Sequence, residues 1–157
     1  MIYSVDTSAL MGSWIRHYPP DVMPDFWEKI EGLVTRKVVF ASIEVLRELD
    51  EKDDSIAKWG HQHKAMFLEA DPQVQEEVGN IVDRFPGLLA GGRSRGDPWV
   101  IAMAKVHKSA VLTEEGHSPS LRRPHIPDVC DALQIKCINV LDFMRAQGWK
   151  FYSRTIE

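Results

Sequence analysis

The sequence predicts a parallel α/β fold. Short apolar strands alternate with amphipathic helices, helix-start signals fall between the strands, and no repeat or linker-like shift in composition divides the chain. Four runs rich in β-branched residues read as strands: Ile2–Val5, Lys37–Phe40, Ala110–Thr113 and Ile135–Asn139. Parallel neighbours need long crossovers, so the order β-α-β-α-β-α-β predicts a sheet covered by helices on both faces.

The elements follow in order. After the first strand, Phe26, Trp27, Ile30, Leu33 and Val34 recur at helical spacing and predict a helix over Pro24–Thr35. The second strand leads to a helix over Ile43–Asp50, and further periodic segments predict helices over Ile56–Leu68, Gln73–Phe85, Pro98–His107 and Val140–Gln147. Asp71-Pro72 and Asp97-Pro98 each set a capping carboxylate before a proline, whose fixed φ and missing N–H suit the first helical position. Pro86–Gly96, with four glycines, and Gly116–Pro127, with three prolines, read as exposed loops.

The chain has 157 residues, with 19 Lys+Arg against 23 Asp+Glu for a net charge of −4, and is 44% apolar and 27% charged. That composition excludes disorder, collagen and coiled coil, and the length predicts a single domain over 1–157. No apolar run approaches the roughly 20 residues that cross a bilayer. The start MIYSVDTSAL lacks a basic n-region and cleavage site, which predicts a cytoplasmic protein without membrane association. Cys130 and Cys137 form no CxxC or zinc pattern and read as small buried hydrophobes. No GxxxxGK[ST] loop or strand-linked GxGxxG is present, which weighs against nucleotide binding.

Ligands of open α/β sheets bind beyond the carboxyl ends of the strands, so acids at those ends carry the functional reading. Asp6 ends the first strand, with Thr7 and Ser8 hydroxyls beside it, and Glu114 and Glu115 follow the strand ending in Thr113. Asp97 opens the helix leading into that strand, while Glu44 and Glu48 share a face of the helix after the second strand. Singly, each acid has an ordinary explanation as a cap, an Asx-turn or a solvated helix residue. Together they can converge on one crevice, where close carboxylates repel unless a cation neutralises them. Oxygen donors without a Cys/His set suit a hard ion, Mg²⁺ or Mn²⁺.

These residues resemble the motifs of the PIN-domain ribonucleases, and among them the bacterial VapC-like toxins. MIYSVDTSAL is similar to the family's opening strand ending in Asp, and ASIEVLREL to the segment supplying a helical acid, with Glu48 the best match. RGDPWVIAMAK is similar to the third motif, an Asp heading a helix, and AVLTEE to the fourth, with Glu115 where Asp is usual. The HIPDVC segment and the Trp149–Phe151 tail resemble a less characterised PIN-like branch of uncharacterised proteins. The resemblance implies a three-layer α/β/α fold around a mainly parallel sheet of four to five strands. It also implies a metal-dependent endoribonuclease in which Asp6, Glu48, Asp97 and Glu115 bind one or two Mg²⁺ or Mn²⁺ ions, supported by Thr7, Ser8, Thr113, Glu44 and Glu114. Asp128, at a helix start near the same sheet end, either caps that helix or supplements Glu115.

RNA binding normally shows as a basic surface, and the net charge is negative. With the four ligand acids set aside, acids and bases balance. Arg93, Arg95, Arg122 and Arg123 stand in the two loops nearest the crevice and suit phosphate contacts. Trp99 either supports that wall or stacks on a base, and His61 and His63 read as solvated. The toxin resemblance implies RNA as substrate, a small antitoxin partner, and a homodimer. The aromatic and Met-containing stretches PDVMPDFW and KWGHQHKAMF offer either a surface for such partners or core packing. The alternative is a PIN-like domain without cleavage activity that binds RNA or protein.

Overall fold

The computed structural model describes residues 1–92 and 96–153. The element order is β1 (Tyr3–Val5), α1 (Thr7–Gly12), a π turn (Ser13–His17), α2 (Pro24–Thr35), β2 (Val39–Ser42), α3 (Ile43–Lys52), α4 (Asp54–Gln62), β3 (Phe67–Leu68), α5 (Pro72–Arg84), α6 (Asp97–His107), β4 (Ala110–Leu112), α7 (Ile126–Leu133), β5 (Cys137–Ile138) and α8 (Val140–Gln147). The five strands pair in the order β3-β2-β1-β4-β5, every pair parallel, with Tyr3 opposite both Val39 and Ala110.

Both faces of β1 are covered, as a parallel sheet requires. Ser4 points toward α6, where its buried Oγ donates to the Val100 carbonyl at 2.9 Å. Tyr3, on the other face, meets Phe143 of α8 edge to face at 4.9 Å between ring centres. Val5 shares that side with Phe26, Trp27 and Ile30 of α2, in the same apolar core. The β-branched and aromatic residues of the strand runs thus go inward on both sides, and the fold is the expected α/β fold with a parallel sheet between helical layers.

Several local expectations are corrected. The periodicity predicted one helix over Ile56–Leu68, but α4 ends at Gln62, and Phe67–Leu68 form an edge strand paired with Ala41 and Ser42. A two-residue strand is too short to impose a period of its own. Pro86–Gly92 is a 3₁₀ turn with Leu88 fully buried, rather than an exposed loop. The second loop gives way to α7 at Ile126, and Pro124 is buried. Asp71 caps α5 by accepting from the Val74 N–H at 2.9 Å. Asp97, by contrast, is not the N-cap but the first residue of α6, one position past the N-cap Gly96. His63 is not solvated: its ring lies over Trp59 at 4.8 Å, and Nδ1 bonds the Trp59 carbonyl oxygen at 2.8 Å. His61 is exposed and pairs with Asp50 at 2.7 Å. The two aromatic stretches resolve as core at Phe26, Trp27, Trp59 and Met66, and Trp99 packs partly buried against that core. Both cysteines are free thiols.

Candidate functional site

The chain winds outward from β1 through β2 to β3, then returns to place β4 on the other side of β1. This reversal makes the carboxyl edge between β1 and β4 the topological switch point, the position where open α/β sheets bind ligands. Asp6 is the first residue beyond β1, and its N–H donates to the Leu112 carbonyl at 2.9 Å. It is only 3% exposed. Its Oδ2 accepts from the hydroxyls of Ser8 at 2.5 Å and Thr113 at 2.8 Å, and these two hydroxyls lie 3.1 Å apart. Both bonds fall on one oxygen, so Ser8 of α1 and Thr113, the residue after β4, together hold that oxygen in place. Thr7 is buried beside it, and among the described residues its Oγ1 has no hydrogen-bond partner. Desolvating a hydroxyl without a bond costs about 1–3 kcal/mol.

Asp97 comes to the same edge by topology. α6 turns directly into β4, which runs parallel to β1, so α6 runs antiparallel to both strands and begins at their carboxyl ends. The Ser4–Val100 bond sets the level. Two residues of strand, about 6.6 Å, carry the chain from Ser4 to Asp6, and three of helix, about 4.5 Å, separate Val100 from Asp97. Asp97 is 1% exposed. Two carboxylates are therefore withdrawn from water at one end of neighbouring elements, an arrangement costing several kcal/mol per ion unless charge or hydrogen bonds compensate.

The remaining acids have other engagements. Glu44 pairs with Arg47 one turn along α3, and its N–H donates to Ser42 Oγ at 3.2 Å. The Glu48 side chain is mostly buried, 3.9 Å from the Lys52 ammonium. Glu114 Oε1 accepts from the Val140 N–H at 2.8 Å, at the start of α8, while its own N–H donates to Ser8 Oγ at 3.0 Å. Glu115 Oε2 accepts from the Ile126 N–H at 3.2 Å, at the start of α7, and its N–H donates to Thr113 Oγ1 at 3.1 Å. Asp128 Oδ2 accepts from the N–H groups of His125 at 2.8 Å and Ser118 at 2.9 Å. Burial opposes ionisation of Asp128, but those two N–H bonds and the neighbouring His117 and His125 outweigh it and hold the carboxyl below its ordinary value. Of the two roles open to Asp128, the geometry displays the cap.

Among the described residues, no three His, Cys, Asp or Glu side chains group closely enough to hold a metal ion. A four-acid cage is thus not preformed. The donor chemistry nonetheless fits Mg²⁺ or Mn²⁺, because Mg²⁺ keeps several waters and is commonly held by one or two carboxylates together with substrate phosphates. Asp6 and Asp97 bring oxygen donors only, the donor chemistry that such a site calls for.

Arg122 and Arg123 are exposed on the segment between Glu115 and α7. Arg93 and Arg95 lie outside the described residues. The sequence reading missed the stretch after Asp6, where the π turn brings Arg16 and His17 to a groove of about 370 Å³ shared with Ser8, Glu114 and Glu115. The spacing of Ala9, Leu10, Ser13 and Trp14 on one face was the available signal for that helix.

A family model described as a domain of unknown function, DUF4411, matches residues 3–151. The chain belongs to the DUF4411 family. No curated protein matches it. Among solved structures, the crystal structure of VapBC2 from Rickettsia felis bound to a DNA fragment from their promoter holds a chain similar to this one. The TM-score is 0.52 and the identity 16%, with 88% of this chain and 98% of that chain covered. At that identity the likeness concerns architecture, and the architecture is PIN-like. Among the described residues, no helix is long and apolar enough to cross a membrane.

Proposed function

We propose that this chain is a metal-dependent endoribonuclease, the toxin of a type II toxin–antitoxin pair, acting on RNA in the cytoplasm. The observation that carries the reading is the pair of nearly water-free carboxylates, Asp6 and Asp97, at the carboxyl edge by the β1/β4 switch point. The likeness to a chain of the VapBC2 structure supports the toxin part, with an antitoxin and a second copy of the chain as partners. One or two Mg²⁺ or Mn²⁺ ions would be held by Asp6 and Asp97, with Glu48 and Glu115 assisting. When bound, the ion lowers the pKa of a coordinated water and offsets phosphate charge.

The chain's own residues supply the rest. Ser8 and Thr113 hold the Asp6 carboxylate in one orientation, Glu44, Glu114 and Thr7 line its surroundings, and Arg122 and Arg123, with Arg93 and Arg95, hold phosphates. The reaction is hydrolysis: a water oxygen bonds to phosphorus, the bond from phosphorus to O3′ breaks, and a water proton ends on the departing oxygen. The test is cleavage of single-stranded RNA with Mg²⁺ and with EDTA, by the wild type and by Asp97→Asn. Removing one group that acts on the transition state typically costs about 100-fold or more. Activity that survives both EDTA and the substitution sinks the proposal.

A second reading, a PIN-like module that binds RNA or protein without cleaving, draws on the engagement of Glu115 and Asp128 with the start of α7. It predicts RNA or partner binding that is indifferent to Mg²⁺ and to Asp97→Asn.

A further inference from the structure

We propose that Arg16 and His17, on the π turn, form a phosphate subsite for the nucleotide flanking the scissile bond, so that the substrate is a single strand running along the groove from Asp6 past Gly12. This rests on the nuclease reading and adds to it where the strand lies.

The turn is a rigid mount. The Tyr18 N–H donates to the Ser13 carbonyl five residues back at 2.8 Å, which is the π spacing. Ser13 is buried, Trp14 meets Trp27 edge to face at 4.8 Å, and Trp14 Nε1 donates to Ser55 Oγ at 3.2 Å. The Tyr18 carbonyl accepts from Trp27 Nε1 at 2.6 Å. Between these anchors, Ile15, Arg16 and His17 are exposed, and none of the three serves the core. One extra residue in a helical turn, pinned on both sides, presents the Arg16 guanidinium and the His17 imidazole where a regular helix would rotate them elsewhere, and π turns are frequent at functional sites.

The groove also has the right composition. Met11 and Ile15 give it an apolar side, Arg16 and His17 a basic one, and Ser8 ties it to the Asp6 carboxylate. Its width at one point can be read from Gly12, where a methyl group would touch Glu114 Cγ at 3.7 Å and His17 Cδ2 at 3.8 Å. Two carboxylates line the groove beside this pair, and both are turned to helix starts, Glu114 to the Val140 N–H of α8 and Glu115 to the Ile126 N–H of α7. A nucleotide strand matches this surface, since a guanidinium and an imidazole take phosphate oxygens while the apolar side takes the face of a base. A second charged protein chain would meet the basic pair but leave the link to Asp6 unexplained.

The test measures RNA binding directly, so that it does not depend on cleavage. Fluorescence anisotropy with a labelled single-stranded RNA oligonucleotide in Mg²⁺ compares the wild type, Arg16→Gln and Arg36→Gln, all with Asp6→Asn to prevent turnover. Arg36 is exposed, at the far end of α2, and controls for net charge. Arg16→Gln should weaken binding about tenfold and reduce the slope of log K against log salt by about one, as loss of one phosphate contact requires, while Arg36→Gln should change neither. Equal affinity and slope for all three overturn the proposal, as does an effect of Arg16→Gln confined to a protein partner. The nuclease reading fails separately, if wild-type protein in Mg²⁺ cleaves no RNA.

Discussion

Asp6→Asn separates structural need from function at the candidate site. Asparagine keeps an oxygen able to accept from Ser8 and Thr113, whose bonds to Asp6 are 2.5 and 2.8 Å long. Exchanging two charge-assisted bonds for neutral ones loses about 1 kcal/mol each. Removing a buried carboxylate returns several kcal/mol of desolvation cost. In EDTA the variant should therefore melt no lower than the wild type. Mg²⁺ reverses the comparison: at about 100 times its dissociation constant, a ligand specific to the folded state adds about 2.7 kcal/mol. At about 2–4 °C per kcal/mol for a chain of this size, that raises the wild-type Tm by about 5–11 °C. Asp6→Asn should lose most of this gain. Calorimetry or scanning fluorimetry in EDTA, Mg²⁺ and Mn²⁺ reads all of it. A variant that melts well below the wild type in EDTA would mean that Asp6 is retained for folding, and an equal Mg²⁺ response in both proteins would refute its role as a ligand.

Three further outcomes are expected. A Cβ on Gly87 would collide with the Arg122 carbonyl oxygen and stand 3.1 Å from Pro124 Cδ, so Gly87→Ala must push the 3₁₀ turn off the loop before α7. Overpacking of this kind costs about 1–3 kcal/mol, and a Tm equal to wild type would show that the two segments part freely. Asp128 has a carboxyl held below its ordinary value of 3.8, so its contribution to stability is full above that value and lost as pH falls through the lowered one. Asp128→Asn should flatten the Tm profile below about pH 4, and an unchanged acid limb would argue against the cap. Glu115→Gln keeps an acceptor for the Ile126 N–H, so stability should hold, while cleavage drops less than the roughly 100-fold expected for Asp97→Asn; equal losses in a kinetic comparison would make Glu115 a full ligand.

Most of the sheet was legible because its strands, Ser4 and Ser42 aside, are apolar on both faces and its crossovers are amphipathic. Residues such as Val39, Val111 and Leu112 have no polar side to confuse the pattern. α2 was legible to the residue, since Pro24 starts it and Phe26, Trp27, Ile30 and Leu33 recur on its buried face. The omissions share a physical origin. α1 begins immediately after β1, with Asp6 as an N-cap whose side chain makes no capping bond, so neither a turn nor a cap announces it. β3 exists through its partner Ala41–Ser42 rather than through its own two residues. α7 lay behind a proline-rich stretch, where Pro127 at its first turn read as one more loop proline and Asp128 marked its start.

The acids divide by a property that local sequence does not carry. α7 and α8 both begin near the end of β4, and their first N–H groups, with the partial positive charge of a helix start, bind Glu115 and Glu114. That encounter requires the chain to leave β4, cross 116–125 and return, so no spacing rule anticipates it. Asp6 and Asp97 also stand at helix starts: Asp6 is the N-cap of α1 without a side-chain capping bond, and Asp97 follows Gly96, the N-cap of α6. Helix N-termini at the same sheet edge would compete with a metal ion for such carboxylates, so a count of acids near strand ends is not by itself the size of a ligand set. Under the proposed reading the acids with the strongest claim to a cation are Asp6 and Asp97, the two most deeply buried acids among the described residues.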